Sequence, residues 1–168
     1  MEIEELAQAV MNCPGKVVVI GIGKSGIAAH KIASTWATAG IEAVWGDPVG
    51  MWHGELGMLR RGDFVVMVSK SGETEELVRL VTHIEQRGVE IAAIVADRAS
   101  SLGRLPHAVL LDLGVSDDPW LAPTDSFIAQ VRAGDAIAAW IVAERGIADR
   151  QIVSNHPGGA IGQAAARH

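Results

Sequence analysis

A chain of 168 residues suffices for one domain that buries roughly two-thirds of its unfolded surface, so neither a disulfide nor a metal is needed to explain folding. With 49% hydrophobic and 20% charged residues it reads as globular, and a net charge of -6 without any Lys/Arg-rich run excludes nucleic acid and an anionic membrane surface as principal partners. Cys13 is the only cysteine, the start is acidic where a signal peptide is basic, and no apolar run reaches about 18 residues. We therefore expect a cytoplasmic single domain over residues 1–168, with disorder confined to its two ends.

The first apolar run, residues 17–20, is continuous rather than alternating, as in strands buried on both faces. Ala28, Ile32 and Trp36 then recur at helical spacing, and residues 42–45 form a candidate strand. Residues 64–68, 91–95 and 108–111 repeat the continuous apolar pattern, with Leu77, Leu80, Val81 and Ile84 marking an amphipathic helix between the first two. This alternation predicts βαβ units and a parallel sheet with helices on both faces. The longest helix candidate, residues 127–143, is apolar on most of its surface through Ile128, Val131, Ile137, Trp140 and Ile141. Pattern alone leaves open whether an oligomer interface or the chain's own core covers it.

Two loops carry chemistry. Gly21, Gly23 and Gly26 spell G-x-G-x-x-G after the first strand, while Gly23-Lys24-Ser25 resembles the end of a Walker A loop. The Walker reading fails, because Val18 stands where the first glycine of that loop is required. A dinucleotide reading survives as a weak match, with Glu42 or Asp47 near the spacing of a ribose-binding acid. The second loop, "SKSGETEE" at 69–76, follows a strand and opens a helix, which gathers hydroxyls and backbone N–H groups where an open α/β sheet binds anions. Ser69, Ser71 and Thr74 surround Gly72, whose missing side chain lets a ligand approach the backbone. The plain alternative is a capped turn, with Ser71 capping and Glu73 or Glu75 in the helix's first turn.

The stretches "GIGKSG" (21–26), "HGELGM" (53–58), "SKSGETEE" (69–76), "LAPT" (121–124), "GDA" (134–136) and "HPGGAIG" (156–162) occur in one order and span nearly the whole chain. In this the chain resembles the sugar isomerase (SIS) domain family, and within it the arabinose-5-phosphate isomerase branch. The resemblance implies a three-layer α/β/α sandwich around a flavodoxin-like five-stranded parallel sheet. It further implies a homotetramer with active sites near subunit interfaces, and reversible aldose–ketose isomerisation of a phosphosugar substrate with no cofactor and no required metal. By the same resemblance Gly23, Ser25, Ser69, Ser71, Gly72 and Thr74 bind the substrate and its phosphate, and Lys24, His53, Glu76 and His156 are active-site groups.

Isomerisation through an enediol needs a base at the carbon, donors for the developing oxyanion and a shuttle for hydroxyl protons. Glu76 is the candidate base, Lys24 the candidate oxyanion or phosphate partner, and His53 and His156 the candidate shuttles. The plain alternatives are an exposed first-turn carboxylate, a solvated lysine and loop histidines. His30, His83 and His107 match no motif, and His168 is terminal. Residues 116–120, "SDDPW", are shorter than the family's usual loop, so Asp117 or Asp118 is only a possible substitute for its carboxylate, and Lys70 stands where the family has Asn. Because the chain ends soon after HPGG, the paired CBS domains of many relatives, and regulation through them, are not expected here. Trp45, Trp52 and Trp120 are expected to line the site or an interface, with core filling the alternative. Other readings are a 6-phospho-3-hexuloisomerase, a phosphosugar sensor without turnover, and a dinucleotide oxidoreductase.

Overall fold

A computed structural model describes residues 2–111 and 124–165. Five strands, β1 (Val17–Gly21), β2 (Ala43–Gly46), β3 (Phe64–Val68), β4 (Glu90–Val95) and β5 (Val109–Leu110), form one sheet in the order β2-β1-β3-β4-β5. Every pairing is parallel, so the expected flavodoxin-like sheet is present. The expected strands match within a residue or so at each end. They were legible because β1 and β3 are buried at every position, which selects uninterrupted apolar runs.

Side-chain alternation divides the core into two layers. Val17, Val19, Phe64, Val66, Ala92 and Ile94 face a cluster with α1 (Glu2–Asn12), α2 (Lys24–Thr38) and α5 (Asp125–Glu144). Val18, Ile20, Val65, Met67, Ile91 and Ala93 face the other, with α3 (Pro48–Trp52) and α4 (Glu75–Glu85). Chain travel across the sheet reverses after β2, and right-handed crossovers therefore put α2 and α4 on opposite faces. That reversal sits between β1 and β3.

At the amino end the expectation of disorder is corrected: α1 is a packed helix with Leu6, Ala7 and Val10 buried. Ile3, Leu6, Ala7 and Val10 have i, i+3, i+4, i+7 spacing, which buries one stripe against the core. The ambiguity over α5 resolves toward the core for its inner face. By length and composition α5 could cross a membrane, yet here it packs on α1 and α2. Gly134 makes the α2 contact close, since a Cβ there would run into Ile32, and the Trp36 indole donates to the Gly134 carbonyl at 2.8 Å. Ile128, on the outer face, remains exposed. Two short helices, α6 (Asp149–Ser154) and α7 (Gly159–Ala165), follow α5.

Asp63 ties the start of β3 to the start of β1. One carboxylate oxygen accepts from the Lys16 backbone N–H at 3.1 Å, and the other from the Arg60 N–H at 2.9 Å and from the Lys16 ammonium. Burial alone pushes this carboxyl's pKa up, but the Lys16 ammonium and the two backbone donors outweigh it, and the net shift is downward. A carboxyl whose folded pKa lies below its unfolded value of about 3.9 adds stability that is fully present above that value and is lost as pH falls through the folded value. Asp63→Asn is expected to lower the unfolding free energy by about 2 kcal/mol at neutral pH and to flatten the acid-unfolding limb below about pH 4. Chemical denaturation across pH 2 to 7 checks this, and an unchanged acid limb would contradict it.

Candidate active site at the strand-order reversal

Gly21 and Val68 are register partners at the ends of β1 and β3, so the two loops that follow leave the sheet side by side, roughly 5 Å apart. After β1 the chain turns at once into α2. Gly23 is the helix N-cap at φ 60 and ψ -128, a backbone conformation essentially reserved for glycine, with open space where a side chain would stand. Gly21 and Gly26 serve the tight approach of helix to strand: a Cβ on Gly26 would lie 2.8 Å from the Gly21 carbonyl oxygen. This G-x-G-x-x-G accordingly shapes a strand–helix turn. Its dinucleotide reading finds Glu42 at the opposite edge, where its carbonyl accepts from Val17, and Asp47 occupied in capping the Val49 N–H at 3.0 Å.

After β3, Ser69 is buried and its Oγ accepts from the Gly72 N–H at 3.1 Å while sharing a 2.9 Å hydrogen bond with Thr74 Oγ1. Ser71 Oγ accepts from the Glu73 N–H at 3.1 Å, and its hydroxyl is exposed. The reason for Gly72 differs from the sequence expectation. It lies at φ 68, and a Cβ would meet Ser100 rather than an approaching ligand. The loop is bolted to the one after β4: Leu102 N–H donates to the Gly72 carbonyl at 3.0 Å, and Ser101 N–H to the Glu73 carboxylate at 2.6 Å. That last bond, ahead of the nearby Arg104, holds the Glu73 carboxyl below its ordinary pKa.

Because Thr74 spends its hydroxyl on Ser69, it occupies the N-cap of α4 without capping it. Gly23, lacking a side chain, leaves α2 equally uncapped. Two helix N-termini with unfilled backbone donors thus stand next to each other, an arrangement suited to an anion. Lys24 opens α2 exposed, and among the described residues its ammonium has no hydrogen-bond or ion-pair partner. Ser25, one residue on, accepts from Gln130 Nε2 at 2.9 Å. Gln130 is buried on α5 and was not singled out by sequence: nothing in an apolar helix pattern marks a polar residue whose partner lies so far along the chain.

Glu76 is exposed in the first turn of α4. His53 caps the C-terminus of α3, and the preceding Trp52 donates its indole N–H to the Glu76 carbonyl at 3.2 Å, so "HGELGM" starts beside α4's first turn. The structure therefore gathers Gly23, Lys24, Ser25, His53, Ser69, Ser71, Gly72, Thr74 and Glu76 at one edge of the sheet. It does not bring His156 there. Asn155 donates to the carbonyl of Thr38 at 2.9 Å, at the other end of α2 from Lys24, and His156 follows it with Nδ1 bonded to the Ile152 carbonyl at 2.8 Å. Fourteen residues of rise separate the two ends of α2, about 20 Å. Asp117, Asp118, Trp120 and residues 121–123 lie outside the described residues. Trp45 is exposed on the edge strand, beside His30.

A shallow cleft of about 330 Å³ lined by Gly21, Gly23, Gly26, Ile27, Trp45 and Asp47 flanks the glycine turn. A larger hollow, about 760 Å³, lies instead at the opposite edge, among Glu4, Glu5, Cys13, Glu90, His107 and Trp140. Its carboxylates disfavour an anion. Burial, reinforced by Asp63, Glu90 and Glu42 against the Gly15 hydrogen bond, raises the Cys13 thiol's pKa and makes it a poor nucleophile.

Residues 10–139 match the model of the SIS domain family. Arabinose 5-phosphate isomerase GutQ of Salmonella typhi is 37% identical over 159 residues, covering 93% of this chain and 49% of that protein. Arabinose 5-phosphate isomerase KpsF of Escherichia coli O6:H1 is 33% identical over 165 residues, 96% of this chain and 50% of its own length. The chain thus spans about half the length of the curated relatives it matches. Among solved structures, an Escherichia coli CFT073 protein in complex with arabinose 5-phosphate superposes with a TM-score of 0.84 at 30% identity, over 93% of this chain and 84% of that one. The motifs, the strand order and these likenesses agree, and the chain belongs to the SIS domain family.

Proposed function

We propose that this chain is a sugar-phosphate isomerase domain that interconverts arabinose 5-phosphate and ribulose 5-phosphate. The observation that carries the reading is the pair of uncapped helix N-termini at the β1–β3 reversal, with Lys24 on one and Glu76 on the other. The phosphate would take the free N–H groups and the hydroxyls of Ser71 and Ser25, with Ser69 and Thr74 holding the loop in shape. Named relatives and the solved complex with arabinose 5-phosphate support the choice of pentose.

In the aldose-to-ketose direction, Glu76 removes the proton on C2 while the C1 carbonyl oxygen gains one, giving an enediol. The O2 proton then leaves and C1 is protonated, which completes the ketose without net gain or loss of atoms. Lys24 stabilises the negative charge that builds on oxygen, and His53 moves the hydroxyl protons. Glu76→Gln is expected to reduce kcat by at least about a hundredfold with substrate affinity within about threefold. Turnover by the unaltered chain in deuterated water, with deuterium entering at the carbon beside the carbonyl, checks the reaction. Binding without turnover would instead favour a sensor.

The proposal includes a homo-oligomer, a tetramer by resemblance, in a cytoplasmic setting. His156 reaches a site of this kind only when supplied by another copy, because its own chain holds it at the opposite edge. Ile27, Trp45 and Val49, exposed by 59%, 42% and 52%, rim the glycine turn as an apolar strip that another copy would cover. Light scattering on this chain should report a mass several times 17.7 kDa. A monomer would remove His156 from the mechanism.

A further inference from the structure

His53 and Glu76 lie on different elements, and among the described residues neither side chain has a hydrogen-bond or ion-pair partner. The only hydrogen bond between segment 47–58 and α4, among those residues, is the one from the Trp52 indole to the Glu76 carbonyl. α3 is five residues long, too short to hold its place by helix propensity, so its position depends on tertiary contacts. Met51 is buried in the cluster with Leu80 and Ile84, and Trp52 packs half-buried against the same cluster. The ring of His83 meets the indole edge-on at 5.4 Å, and the Arg79 guanidinium stands 5.1 Å from its centroid. Glu76, Arg79 and His83 form one stripe of α4, and Trp52 lies along it.

We infer that Trp52 is a positioning residue for the isomerisation, clamping the end of α3 to the first turns of α4 so that His53 stands at a fixed place relative to Glu76. The inference rests on the isomerase reading of the site. The helix pattern already uses one lone pair of the Glu76 carbonyl for Leu80, and Trp52 takes the other. Phenylalanine at 52 keeps an aromatic face for Arg79 and His83 but has no N–H to give. His53 is the next residue in the chain, bonded through its own N–H to the Gly50 carbonyl at 2.9 Å, so a tilt of α3 carries the imidazole with it. The anion cradle after β3 is held by bonds to the loop after β4, independently of Trp52.

The two assemblies can therefore be separated by experiment. In Trp52→Phe we expect kcat to fall tenfold to a hundredfold, about the cost of a small misplacement of a reacting group, with KM changed by less than about twofold. Amide hydrogen exchange over residues 48–58 should accelerate about fivefold, while residues 69–76 stay unchanged. In the unaltered chain the Trp52 indole proton should exchange more slowly than that of exposed Trp45. A kcat within twofold of the unaltered chain, a KM that rises as far as kcat falls, or unchanged exchange over 48–58 would overturn the clamp. So would a Trp52 indole proton that exchanges as fast as that of Trp45. Should the unaltered chain turn over no pentose phosphate, the isomerase reading falls, and the exchange data decide the clamp by themselves.

Discussion

Everything at the proposed site follows from one topological constraint: the chain enters the sheet through β1, turns one way to β2, and must come back past β1 to lay down β3. Right-handed crossovers then force α2 and α4 to opposite faces, which leaves a crevice between their N-termini at the ends of β1 and β3. Short turns of glycine and hydroxyl residues are the means by which both helices start close to the sheet. Neither helix is capped by a side chain, so backbone donors that would ordinarily be satisfied within the protein remain available to a ligand.

Rigidity at this edge comes from bonds within the loop after β3 and from its neighbours. Ser69 and Thr74 bond to each other, Gly72 nests against Ser100, Glu73 reaches the Ser101 N–H, and Gln130 reaches across from α5 to Ser25. A loop so held loses little entropy when an anion binds, which favours affinity without a large interface. The catalytic candidates are treated differently. Lys24, His53 and Glu76 project from helix ends with little else restraining their side chains, and among the described residues the Trp52 indole makes the one hydrogen bond between α3 and α4, two of the elements that carry them.

Much of this was legible in the sequence, for identifiable reasons. Strands buried on both faces must be continuously apolar, and residues 64–68 show that without structural help. Glycine and serine clusters between strand and helix mark the anion loops, since few other residues suit those backbone positions. The amphipathic stripe of α1 was present in Ile3, Leu6, Ala7 and Val10, a helical spacing the sequence analysis passed over. Gln130 was not legible, because a hydrogen bond to a residue so distant in sequence leaves no local trace. The reason for Gly72 also depended on tertiary packing against Ser100. Nor does a motif say where its residues end up: "HPGG" carries a histidine that the fold sends to the far end of α2.

In the proposed isomerase the paired helix N-termini hold the phosphate of the sugar phosphate. This role is tested most directly by amide NMR of the isotopically labelled chain, titrated with arabinose 5-phosphate and, separately, with arabinose. The phosphate ester is expected to shift the amides of residues 22–26 and 70–76 in a saturable manner, and the free pentose to leave them in place. Equal shifts from both sugars, or shifts confined to the hollow around Cys13 and Glu90, would contradict it.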